Sequence, residues 1–181
     1  MSYIYVPNHI LPKQAVVLSD SVYHSYMGEY FLGQTVMISY GGEWKAWGGL
    51  INPPESRVNI FLNAYTISNF SDQPITAEGW LGAKFAGNAE LSGNVAAGNQ
   101  SIIPTIYPEV LIESASFVTG EPIDGTYTFV RRVEPSNTLT KHDFQGMYII
   151  PPGSSFLLYF LPPGEVLVHI KIAFGWWEEK I

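Results

Sequence analysis

With no cysteine in the chain, thiol nucleophiles and thiolate metal sites are excluded, and the search for acid–base or metal chemistry falls first on four histidines and sixteen carboxylates. His9, His24, His142 and His169 show no HxH or HExxH spacing, so no two imidazoles are set to close on one metal ion. His142-Asp143 lies in a polar link, residues 141–146. Adjacent residues on an extended backbone point apart, so the aspartate is not placed to orient the imidazole as a base. GxSxG, GxGxxG and Walker A patterns are absent, which leaves a nucleophile elbow and a phosphate cradle without support. Glycosidase chemistry needs two carboxylates across a cleft, and the acids here are scattered in a way that reads as solvated turn residues. The expectation is a protein that is not an enzyme and holds neither cofactor nor metal.

The aromatic residues invite a binding reading. Trp44 and Trp47 flank Lys45-Ala46 in a glycine-rich setting, Trp80 follows Gly79, and Trp176-Trp177 closes a long alternating segment. Exposed indole planes stack on sugar rings, yet large aromatics also dominate subunit interfaces, so Trp44, Trp47, Trp80 and Trp177 are candidates for either role. Composition leans toward a partner surface. Charged residues make up 14% of the chain against a usual share of about a quarter, while 46% is apolar. A net charge of −7 with no basic cluster beyond Arg131-Arg132 disfavours nucleic acid. The longest apolar run, residues 156–161, is too short to insert in a bilayer, and residues 1–18 lack the cationic and apolar regions of a Sec-type signal.

These residues must be positioned mainly by strands. Glycine and proline interrupt the chain often, 17 and 13 times, and no window of a dozen residues carries an apolar repeat of helical period. The plainest strand is 166–176, with Val166, Val168, Ile170, Ile172, Phe174 and Trp176 on one face and Trp177 falling on the other. Residues 57–67 alternate too, with Val58, Ile60, Leu62 and Ala64 opposite Asn59, Phe61, Asn63 and Tyr65. Further strands are expected at 15–19, 22–32, 35–40, 75–85, 110–118, 126–133, 147–150 and 155–161. Pro151-Pro152-Gly153 and Pro162-Pro163-Gly164 suit type II turns and suggest that the last three strands form a meander. Residues 86–101, small and polar with Gly-Asn at 87, 93 and 98, read as a surface loop. Glu178-Glu179-Lys180 reads as charge that stops pairing beyond the terminal strand. The fold class is all-β: a single antiparallel two-sheet sandwich of jelly-roll type over residues 14–181.

An extended arm, residues 1–13, precedes it. Tyr3, Tyr5, Ile10 and Leu11 give the arm apolar side chains, and Pro7 and Pro12 confine it to an edge or a path outside the sheet. Such an arm suits strand addition to a neighbouring copy, so these four residues are the candidate assembly contacts. The C-terminal part, from Thr126 through the turn at Ile150-Pro151-Pro152-Gly153 to Trp177-Glu178-Glu179, resembles the closing strands of jelly-roll subunits of bacterial surface structures. A short arm ahead of a compact jelly roll is also similar to endospore appendage subunits, although those carry crosslinking cysteines and this chain has none. The resemblance implies a structural protein that polymerises, with no catalytic residue. The expectation is therefore a homo-oligomer, fibre or layer built from copies of this chain through edge strands and the N-terminal arm, made in the cytoplasm because no Sec-type signal or membrane span is read, and ending on a spore or cell surface. The rival reading is a carbohydrate- or receptor-binding module with a glycan as partner, and a weaker third is a sandwich enzyme using acidic residues.

Overall fold

A computed structural model describes residues 17–85, 87–141 and 144–181. The arm with Tyr3, Tyr5, Ile10 and Leu11, and also His9 and His142, lie outside the described residues. The elements run α1 (Asp20–Met27), β1 (Tyr30–Gln34), β2 (Ile38–Gly42), β3 (Lys45–Ile51), β4 (Val58–Asn69), β5 (Ile75–Leu81), β6 (Glu90–Leu91), β7 (Val95–Ala97), β8 (Leu111–Val118), β9 (Thr126–Val133), β10 (Thr138–Lys141), β11 (Tyr148–Ile150), β12 (Ser155–Phe160) and β13 (Gly164–Lys180).

Every pairing between these strands is antiparallel, and they form two sheets. The first runs β10-β4-β13-β1-β7, with β11 also on β4 and β2 also on β13; the second runs β6-β8-β3-β12-β5-β9. β1 and β2 share one edge of β13 and act as a single interrupted strand, and β10 and β11 do the same along β4. At the break, Thr35 bonds both ways to Ile172: its N–H donates to the Ile172 carbonyl at 2.9 Å, and its Oγ1 accepts from the Ile172 N–H at 3.1 Å. With β6, β7 and β8 set aside as an insertion between β5 and β9, the two sheets have the interleaved order of a jelly roll. The last three strands are therefore not a meander, because β11 and β13 belong to one sheet and β12 to the other. The turn at Pro151-Pro152-Gly153 is closed by the Ser154 N–H on the Pro151 carbonyl, with Gly153 at φ 77°, and it crosses between sheets.

One core fills the space between the sheets, and aromatic rings dominate its middle. Phe156 on β12 lies with ring centroids 5.6 Å from Tyr65 and 6.4 Å from Phe174, both on the facing sheet, and 6.3 Å from Phe129 beside it. Two local devices make room. The pairing of β13 with β4 skips Asn63, so β4 carries an extra residue and its alternation changes phase. Leu62 points inward before this bulge and Tyr65 and Ile67 after it, whereas simple alternation had put Tyr65 opposite Leu62. On β5, a Cβ at Gly79 would lie 2.2 Å from the Phe129 ring, so only glycine lets that ring lie against the strand.

Three further expectations are corrected. Residues 22–32, expected as a strand, fold as α1 and β1, and residues 17–19, part of the segment expected as a strand at 15–19, lead into the helix with Ser19 as its extended N-cap. The helix ends at Gly28, φ 81°, where the Glu29 N–H bonds to the His24 carbonyl and the Gly28 N–H to that of Ser25. At eight residues it is too short to show a periodic window. The segment 86–101 contains β6 and β7, which add main-chain pairing at sheet edges, and β7 brings Val95 and Ala97 against the main core. Val166 is exposed, because the pairing of β13 with β2 is irregular before Val168.

Phe156→Ala should cost about 3–5 kcal/mol in urea unfolding, since it empties the contact between the two sheets. Trp44→Ala, at an exposed turn, should stay within about 0.5 kcal/mol of the parent. Equal effects would show that the aromatic layer does not hold the sandwich.

Candidate functional site

Helix α1 lies on the outer face of the first sheet, and one histidine pins it there. The His24 ring stacks on Trp177 at 5.2 Å and 10°, and Trp177 also stacks on Phe61 at 5.4 Å and 4°. His24 Nδ1 is 2.8 Å from Glu29 Oε2 and its Nε2 is 3.3 Å from Glu179 Oε1, which also accepts from Trp177 Nε1 at 3.1 Å. Both ring nitrogens face carboxylates and the ring lies against an indole, so His24 acts as a clamp rather than a free base. Sequence reading had placed this residue in a strand, and no motif joins positions 24, 29 and 179.

The clamp turns the rest of the helix outward. Val22, Tyr23, Tyr26 and Met27 are exposed, Tyr26 to 73%. Residues 98–106 approach the helix end: Asn99 Nδ2 donates to the Tyr26 carbonyl at 3.1 Å, and a Cβ at Gly28 would collide with Ile102 and Ile106. Ile103 and Tyr107 are exposed to 91% and 76%. Between the helix and residues 98–101 lies an open cavity of about 730 Å³, walled by Val22, Tyr26, Tyr30 and Leu32. Its polar lining consists of Ser21, Ser25, Asn63, Asn99, Gln100 and Ser101, and no charged side chain borders it among the described residues. Asn63, the extra residue of the β4 bulge, donates to the Tyr30 hydroxyl at 3.0 Å and fixes the floor. The concavity is thus neutral and lined mainly by apolar and amide or hydroxyl side chains.

The four candidate tryptophans are not brought together. Trp44 is 45% exposed at the turn between β2 and β3. Trp47 is buried beneath Phe85, whose ring stacks on it at 5.3 Å. Trp80 is half-buried against Tyr127 and donates to Glu78 Oε2 at 3.2 Å. Trp177 does face away from the core as its register requires, but at 2% exposure it is covered by His24 and unavailable to a ligand. His169 bonds to Ser39 Oγ at 2.8 Å. Among the described residues no three His, Cys, Asp or Glu are grouped to hold a metal ion. No helix among them is long and apolar enough to cross a membrane.

A family model described as "Family of unknown function (DUF6143)" matches residues 1–181. No curated protein and no solved structure matches the chain.

Glu178 corrects the reading of the C-terminus as a charged stop. β13 continues through it to Lys180 with full pairing to β4, and Glu178 is buried. Its carboxylate accepts from the Glu109 N–H at 3.0 Å, the Val110 N–H at 3.3 Å and Trp176 Nε1 at 3.0 Å, so it fastens the entry of β8 to the end of β13. Burial pushes the Glu178 carboxyl above the ordinary carboxylate range, and Glu109 adds to this, against the pull of the three donors. The folded state therefore holds this proton more tightly than the unfolded chain. Its contribution is complete below the unfolded value and is lost as pH rises through the folded one. Urea unfolding of the parent against Glu178→Gln should show the parent's relative stability falling with rising pH across that window, by at most about 1.4 kcal/mol per pH unit. A pH-independent difference between the two would contradict this assignment.

Proposed function

Since the chain belongs to DUF6143, a family of unknown function, over its full length, we propose its role from its own geometry: it is a structural subunit that self-associates, the face of helix α1 and residues 98–107 receiving the N-terminal segment of a neighbouring copy. The observation that carries this reading is the crowding of exposed large apolar side chains beside the point where that segment enters. Val17, Leu18, Val22, Tyr26, Leu32 and Ile103 are all exposed on or next to this face. Patches of this kind on stable proteins mark partner surfaces.

The occupant follows from the chain itself. Residues 1–16 contain Tyr3, Ile4, Tyr5, Val6, Ile10 and Leu11 and no acidic residue, in a protein of net charge −7. Extended, they span about 50 Å, enough to leave one sandwich and lie on another. The uncharged lining of the cavity suits the stretch from Tyr3 to Val6, which carries no charged side chain, since it buries apolar side chains without stranding a charge. A homopolymer of this type needs no cofactor and no catalytic group, and the spore or cell surface suggested by the sequence resemblance is a fitting destination.

Light scattering on the purified full-length chain should give a mass of several chains. Deleting residues 1–16, or changing Tyr26→Glu in the full chain, should reduce it to one chain while the melting temperature stays within a few degrees. A monomeric full-length chain, or an oligomer that survives both changes, would reject the reading. So would a truncation that lowers the melting temperature and leaves the mass alone, since the segment would then pack on its own sandwich.

A further inference from the structure

The second sheet carries a separate concavity on its outer face, at the end of the sandwich where β3 leaves for β4 and β11 for β12. It encloses about 310 Å³, at the lower end of the range of about 300–1,000 Å³ typical of small-molecule sites. From the geometry we infer that this cavity binds a single neutral sugar residue. The inference is independent of the self-association proposed above, which uses the opposite sheet.

The chemistry of the lining selects the ligand. Trp47, Phe85 and Leu157 supply an apolar wall, and Lys84, Glu113 and Ser154 supply polar groups around it. No side-chain hydrogen bond or ion pair occupies Lys84 or Glu113 among the described residues, so an ammonium donor and a carboxylate acceptor stand free at one small cavity. Trp47 Nε1 is enclosed and bonds to nothing among the described residues, so the polar contacts of the cavity come from Lys84, Glu113 and Ser154. A sugar ring matches this set. Its C–H groups lie against the apolar wall, whose rings are stacked on one another and leave it no open indole face, while its hydroxyls donate to a carboxylate and accept from an ammonium at once. A phosphate or an acidic sugar is disfavoured, because Glu113 repels it and Lys84 is the one cation in the lining. A lipid tail is disfavoured by the same two charges.

The cavity is held in shape before any ligand arrives. Asn52 Nδ2 donates to the carbonyls of Val58 at 2.8 Å and Ile150 at 2.9 Å, and its Oδ1 accepts from Ser56 Oγ. The Asn52 N–H bonds to the Ser154 carbonyl and the Gly153 N–H to the Asn52 carbonyl, locking the two turns together. Across the floor, Ser155 Oγ donates to the Ala83 carbonyl at 2.7 Å and the Gly82 N–H to the Ser155 carbonyl at 2.9 Å. Preorganisation of this kind removes the ordering cost that a loose loop would charge to binding.

The test is saturation-transfer NMR on the full chain with glucose, galactose, mannose, rhamnose and N-acetylglucosamine, each offered free and tethered as a glycan end, with galacturonic acid as the charged arm. At least one neutral sugar should bind saturably, with a Kd on the order of a millimolar. Glu113→Gln and Lys84→Met should each weaken it about tenfold with melting temperature and oligomeric mass unchanged, and Trp44→Ala should leave it intact. Binding of the tethered form alone assigns the site to polymer ends, and of the free form alone to a soluble sugar; both support the inference. Absence of binding by every neutral sugar, binding that survives both Glu113→Gln and Lys84→Met, or tighter binding of galacturonic acid would overturn it.

Discussion

The aromatic layer between the two sheets is the contact on which the rest of the molecule depends. Phe156, Phe160 and Phe129 from one sheet meet Tyr40, Tyr65 and Phe174 from the other, and rings of this size set the separation of the sheets. Each sheet must adapt its backbone to admit them. The β4 bulge changes which residues face inward so that Tyr65 reaches Phe156, and Gly79 yields the space that Phe129 occupies. The bulge has an effect on the outer face too. The extra residue, Asn63, points away from the core, where it holds Tyr30 beneath helix α1. One inserted position thus serves the core and the outer cavity together.

With the interior filled, further apolar surface has to be covered from outside, and the chain does this differently on its two sheets. On the first, α1 covers Trp177 through His24 and presents a second apolar face to solvent. On the second, Phe85 lies between Trp47 and Tyr159, stacked on the latter at 5.2 Å, and closes a satellite core that is separate from the main one. Beside it Lys45 pairs with Glu121, and Tyr159 donates to the Gly120 carbonyl at 2.8 Å. The Lys45 ammonium holds the Glu121 carboxyl below its usual range. The low share of charged residues reflects this economy: side chains that a simpler sandwich would leave polar are used here to seat covering segments.

The sequence was informative wherever a strand has one buried face. β13 alternates over residues 168–174 as its sequence does, whereas β12 is buried along its whole length and was delimited by the proline and glycine turns on either side of it. Readability failed where tertiary contact overrides local pattern. β3 is not among the strands expected from the sequence, because its glycine-rich stretch shows no alternation; Gly49 is required there by close approach, since a Cβ would sit 2.2 Å from the Phe156 carbonyl oxygen. α1 is too short for periodicity, yet Ser19-Asp20 before it and Gly28 after it were available as start and stop signals. The His24 clamp and the cavity beside Trp47 join residues far apart in the chain, and nothing in local spacing announces them. Among the candidate tryptophans, burial was the missing information, since residue type alone does not separate Trp44 from Trp177.

The insertion between β5 and β9 explains why both candidate surfaces lie where they do. Residues 82–85 wall the small cavity and residues 98–107 border the helix face, while β7 and β8 extend the two sheets on the same side of the sandwich. That side is therefore covered by added chain and rich in shaped surface. The opposite side ends on β9 and on β10 with β11, and there the exposed strand β9 is guarded. Arg131 lies over the Phe129 ring at 4.7 Å, Arg132 pairs with Glu134 in solvent, and Thr128 is an extra residue that disturbs the register opposite Gly79. Charges and a bulge on an edge strand oppose edge-to-edge pairing. Joining of sheets is thus disfavoured along β9, whereas the side that the insertion builds presents an uncharged cavity among the described residues instead of guarded backbone.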